Sequence, residues 1–113
     1  MRHVMYVTIP AGQSLSDVIN LTDFYITGMH FPAAWIGSAI GFLASLDGVI
    51  WSPFGMFGED LRPVEANFFA AYPLANASYP PVGDCWLRIR SGSNGGPIVQ
   101  SAERRIGLLL RKV

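Results

Sequence analysis

Between Ser38 and Trp51 the chain reads SAIGFLASLDGVIW. From Ile40 to Leu46 the residues alternate as Ile40, Phe42 and Ala44 against Gly41, Leu43 and Ser45, and both sets are largely apolar. A strand of that kind must be covered on both faces, or on one face by a partner. Asp47-Gly48 follows it and is a strong hairpin signal, because glycine, and to a lesser degree aspartate, tolerates positive φ. Val49, Ile50 and Trp51 are therefore expected to return along the first strand. A second run, Cys85 to Gly92 (CWLRIRSG), supplies this hairpin with a neighbour. Its alternation is the cleanest in the chain: Cys85, Leu87 and Ile89 on one side, Trp86, Arg88 and Arg90 on the other.

The rest reads as further short strands. Val4 to Ile9 is rich in β-branched and aromatic residues and stops at Pro10, which cannot donate to a ladder. Residues 11 to 14 form a turn. Ser14 is able to cap a short helix, but Asn20, Thr22 and Asp23 close the segment so soon that a strand over Val18 to Leu21 is favoured. Phe24 to Phe31 is a strand with Phe24, Ile26 and Gly28 on one face and Tyr25, Thr27 and Met29 on the other. Trp35 reads as a lid on one end of the core, with its indole donor near the surface. The segment from Ser52 to Gly58 carries Phe54, Met56 and Phe57 between a proline and two glycines. It either folds back onto the core or docks into a neighbour. Residues 59 to 63 read as solvated. Val64 to Ala71 is helical by composition, yet its short length between Pro63 and Pro73 supports a strand at least as well. Residues 72 to 81 are a loop, and Arg105 to Arg111 a final strand with Ile106, Leu108 and Leu110 inward. Seven to nine short strands, spaced by turn signals and without a long helix, predict a single all-β domain built as an antiparallel sandwich or barrel.

A chain of 113 residues is near the modal domain size and buries roughly 65% of its unfolded surface. Only 14% of its residues are charged, against roughly 25% in soluble domains, so a partner is expected to cover part of the surface. Eight bases and eight acids cancel, which argues against nucleic-acid binding by bulk electrostatics. Their distribution is uneven. Residues 1 to 87 hold two bases against seven acids, a balance of minus five, and residues 88 to 113 hold six bases against one acid, a balance of plus five. Opposite charges meet either within one fold or head to tail between identical copies. The single cysteine excludes an internal disulfide framework. No secretory leader is legible, and no apolar run approaches the roughly 18 residues of a membrane span.

No catalytic constellation emerges. Cys85 with His3 or His30 is the one cysteine–histidine combination, and its strand setting favours a buried, inert thiol. Two distant histidines and one cysteine give no zinc spacing, and the acids lack the alternation of a calcium loop. Glu59-Asp60 with Glu65 offers paired carboxylates, but residues this polar read as a solvated loop. The glycine-rich stretch Ser91 to Pro97 lacks the lysine and following helix of a phosphate loop. No cofactor is expected. Arg88 and Arg90, beside Trp86, are the most notable polar group, suited to forked bonds with carboxylates of another subunit.

Three segments, TIPAGQSLSDVINLT at 8–22, FPAAWIGSAIGFLASLDG at 31–48 and LRIRSGSNGGPIVQSAERRIGLLLR at 87–111, together resemble small virion proteins of tailed bacteriophages, including capsid cement or decoration proteins with a jelly-roll β-sandwich. The likeness covers about half the chain, omits residues 49 to 86 and brings no catalytic residue. It implies a non-enzymatic protein on the capsid surface that binds the major capsid protein as a homo-trimer, with no specific nucleic acid and no membrane. On that expectation Trp51, Phe54, Met56 and Phe57 are apolar anchors, and Arg88, Arg90, Arg104 and Arg105 charged contacts. The alternative is a carbohydrate-binding sandwich of a phage fiber or tail, with Trp35, Trp51 or Tyr79 as sugar platforms.

Overall fold

A computed structural model describes residues 2–55, 61–71 and 82–112. These contain ten strands and no helix: β1 (Arg2–Ile9), β2 (Ile19–Asn20), β3 (Phe24–Phe31), β4 (Ala39–Ser45), β5 (Ser52–Pro53), β6 (Arg62–Pro63), β7 (Phe68–Ala71), β8 (Val82–Gly83), β9 (Trp86–Ser91) and β10 (Arg104–Lys112). All pairings are antiparallel. The first sheet has the order β1-β10-β3-β7, with β8 also on β3; the second has the order β2-β9-β4-β5, with β6 also on β4.

This order follows from one long ribbon doubled on itself. Each early strand pairs with a late one: β1 with β10, β2 with β9, β3 with β7 and β8, β4 with β5 and β6. Rolling the ribbon then adds two lateral pairings, β10 with β3 and β9 with β4. The result is a jelly roll. The chain reverses between β4 and β5, so the Asp47-Gly48 region is the fold-over point of the whole ribbon.

Alternation builds the core between the sheets. From the first sheet come Val7, Ile9, Ile26, Met29, Phe31, Ile106, Leu108 and Leu110, and from the second Ile19, Ile40, Phe42, Leu87 and Ile89. The expected faces of β3 need one correction. Opposite β10 the register jumps, with Leu109 facing Gly28 and Leu110 facing Ile26. Thr27 is the additional residue of a β-bulge, and its Oγ1 donates to the Leu109 carbonyl at 3.2 Å. The bulge resets the alternation. Ile26 before it and Met29 after it are both buried, so Met29 belongs to the core rather than to the side of Tyr25.

Trp35 does close one end of the core, edge-on to Phe31 at 4.9 Å between ring centroids. It is only 5% exposed, however, and its Nε1 is buried without an acceptor among the described residues. The donor does not reach the surface. Arg62 also departs from expectation: it is fully buried, opposite Ile40, because β6 docks on the edge of β4. Gln100 ties the same end together. Its Nε2 donates to the Ile36 carbonyl at 2.6 Å and to Ser91 Oγ at 2.7 Å, and its Oε1 accepts from Ile36 N at 3.0 Å and Arg104 Nε at 3.2 Å.

Candidate interaction surface

The turn after β4 is longer than a two-residue hairpin. Pairing resumes only at Leu43 with Pro53 and Ala44 with Ser52, so Val49, Ile50 and Trp51 do not return along β4. The physical reason lies in two side chains. Ser45 Oγ accepts from the backbone N–H of Gly48 at 2.8 Å and of Asp47 at 3.3 Å, and donates to Asp47 Oδ1 at 2.9 Å. Asp47 Oδ1 in turn accepts from Val49 N at 2.8 Å and Ile50 N at 3.0 Å. Short polar side chains thus supply partners that a strand ladder would otherwise provide. Gly48 takes φ +78° against the Trp86 ring. The bonds from Ile50 N, Val49 N and Ser45 hold the Asp47 carboxyl below its ordinary range.

The loop so fixed presents apolar side chains to solvent: Leu46 is 96% exposed, Val49 77% and Ile50 72%. At its foot lies a hollow of about 360 Å³ bordered by Ala44, Leu46, Ile50, Ser52 and Cys85. Trp51 is half-buried, with the Arg88 guanidinium 5.9 Å from its ring centroid. Arg88 is held by Nε donation to the Ser16 carbonyl at 2.9 Å. Phe54 turns back onto the core, edge-on to Phe42 at 6.1 Å. Met56, Phe57 and Tyr79 lie outside the described residues, as do Glu59 and Asp60.

The four arginines expected to act together are dispersed. Arg88 and Arg90 share a side of β9, and Arg90 is buried, opposite Gly41 and bridged to Leu15. Burial pushes its guanidinium down from the ordinary value. Arg104 is buried against Gln100. Arg105 is exposed on the first sheet, over the Tyr6 ring at 4.0 Å.

A second apolar surface was not anticipated. The outward positions of the first sheet include Val4 and Tyr6 on β1, Gly107 and Leu109 on β10, Gly28 and His30 on β3, and Phe69 on β7. Val4, Tyr6 and Phe69 are each more than half exposed. Phe69 lies over Gly28 so closely that a β-carbon there would come within 2.9 Å of its ring. A hollow of about 180 Å³ opens among Val4, Tyr6, His30, Phe69, Gly107 and Leu109.

Among the described residues, the Cys85 thiol is not set up as a nucleophile. Burial, and then the neighbouring Asp84 carboxylate, push the Cys85 thiol up from its ordinary value, opposite to the activation a nucleophile needs. His3 packs edge-on to Phe24 at 5.0 Å, and both histidines belong to the first sheet, while Cys85 precedes β9 of the second. Among the described residues no group of three or more His, Cys, Asp or Glu is placed to hold a metal ion. No described helix is long and apolar enough to cross a membrane.

Fold and surface together define a class: a jelly-roll β-sandwich that exposes an apolar loop braced by its own hydrogen bonds and an apolar sheet face. No family model, curated protein or solved structure matches the chain.

Proposed function

We propose that this chain is a structural virion protein of the capsid cement type, which binds the major capsid protein shell as a homo-trimer and stabilises it. The observation that carries the reading is the exposure of Leu46, Val49 and Ile50 on a loop held by its own hydrogen bonds. A fixed loop loses little entropy on docking, so its apolar surface contributes to association rather than to ordering. The low charge of the chain and its resemblance to phage cement proteins support the same reading. A cement protein needs contacts to the shell and contacts between copies. For the shell, the reading assigns the half-buried patch of Trp51, Leu43, Trp86 and Arg88 on the second sheet, with Phe54 as its support and Met56 and Phe57 continuing the segment.

Co-sedimentation with empty shells tests this. The wild-type chain is expected to pellet with shells of major capsid protein and to raise their melting temperature. Trp51→Ser is expected to lose both effects while keeping its own Tm. A chain that never pellets with shells overturns the reading. Binding on a glycan array that Trp51→Ser abolishes would support the carbohydrate-binding alternative, for which buried Trp35 offers no sugar platform.

A further inference from the structure

We infer that the 46–50 loop of one copy docks into the outer face of the first sheet of a second copy, in a head-to-tail contact. The inference rests on the association of copies in the proposed function and on the same exposed loop, and it does not involve the shell.

The two surfaces are complementary in form. The loop is a convex knob of three aliphatic side chains, fixed by Ser45 and Asp47. The sheet face is concave, its hollow of about 180 Å³ walled by Val4, Tyr6, Phe69 and Leu109. Its floor is low because Gly107 occupies an outward position of the central strand β10, while the Phe69 ring, lying over Gly28, forms one wall.

They are also complementary in charge. The outward positions of the first sheet's described strands carry Arg105 and Arg111 but no carboxylate. Six residues apart on β10, those arginines stand about 20 Å from one another, at either end of the hollow. The knob carries Asp47, exposed and already anionic. Two copies meeting through the same sheet face would set arginine against arginine, so the charge pattern disfavours a two-fold contact. A head-to-tail contact instead sets Asp47 toward an arginine, and it gives the charge imbalance along the chain a purpose between copies.

Such a contact makes a distinctive prediction, because every copy carries one knob and one socket. Leu46→Asp with Ile50→Asp destroys the knob, and Val4→Glu with Phe69→Glu destroys the socket; all four positions are solvent-exposed. Sedimentation velocity of the purified chain, without shells, is expected to show a trimer for the wild type. Each variant alone is expected to be monomeric, with association weakened about 30-fold or more, the scale of a hot-spot loss. An equimolar mixture of the two variants retains one intact knob and one intact socket, and is expected to form a one-to-one dimer and nothing larger. If the socket pair lowers Tm, Val4→Glu alone replaces it. A monomeric wild type, variants that still assemble, or a mixture that stays monomeric overturns the inference. So does a monomeric wild type whose loop instead binds phosphatidylcholine vesicles. Shell binding by monomeric variants would leave the cement reading standing apart from this contact.

Discussion

Ser45 and Asp47 convert a sequence that looks like a tight hairpin into a six-residue loop, and the conversion is testable at each side chain. Ser45→Ala removes one of the bonds that lower the Asp47 pKa. The carboxyl is expected to move back up toward its ordinary range, as read by carbon-13 NMR titration of the side chain. The sign for the wild type follows from the same shift. A carboxyl depressed in the folded state stabilises it above the unfolded pKa, and that contribution is lost as pH falls through the folded pKa. The loop is therefore expected to lose amide protection in acid below the usual carboxylate range. Gly48→Ala forces a β-carbon into the left-handed region at φ +78°. It should cost about 1–2 kcal/mol in urea unfolding. Gln100→Leu removes the partners of Ile36, Ser91 and Arg104 at once. Leaving buried polar groups unpaired costs about 1–3 kcal/mol, so a clear drop in the urea midpoint is expected.

The bulge at Thr27 is the feature on which β3 depends. Deleting Thr27 leaves Ile26, Gly28 and Met29 consecutive opposite Leu110, Leu109 and Leu108, so pairing becomes regular while Ile26 and Met29 both stay inward. Were Thr27 kept in a regular ladder, Met29 and Phe31 would instead face solvent, at about 1.5–3 kcal/mol for each large apolar side chain. The deletion variant is therefore expected to keep its near-ultraviolet circular dichroism and to lose only about 0.5–1.5 kcal/mol in urea unfolding, the net worth of the Thr27 Oγ1 bond to the Leu109 carbonyl; loss of the near-ultraviolet signal would show that the bulge does more than set the faces. The pattern of legibility follows from periodicity. β1, β3, β4, β9 and β10 run for six to nine residues, long enough for alternation or β-branched composition to mark them. β5, β6 and β8 span two residues each and carry no period, which is why Arg62 read as solvated although β6 buries it. The bulge was invisible because one inserted residue in FYITGMHF leaves the composition unchanged. Of the interaction surface, Trp51 was legible as an apolar anchor and Arg88 as a cation beside Trp86, but the contact between Trp51 and Arg88 was not, because it joins segments far apart in the chain. The knob was not, since a two-residue Asp-Gly turn would have folded Val49 and Ile50 back onto β4. The outer face of the first sheet escaped notice because VMYVTI is apolar at nearly every position and marks no inner side.

As a whole, the molecule is a ribbon whose first and last strands pair along their length, from Arg2 with Arg111 to Ile9 with Arg104. Contacts of such sequence separation pay their loop-closure entropy early, so folding is expected on the millisecond-to-second scale of all-β sandwiches in stopped-flow fluorescence. The same pairing has another consequence. Because β1 and β10 run antiparallel with Arg2 beside Arg111, the two ends of the described chain meet at one corner of the sandwich. A short glycine-serine linker there would join them into a circular permutant. If that permutant were reopened at 93–96, in the glycine-rich connection between β9 and β10, β10 and β1 would become a local hairpin. The slowest pairing of the native order would then be among the quickest to form.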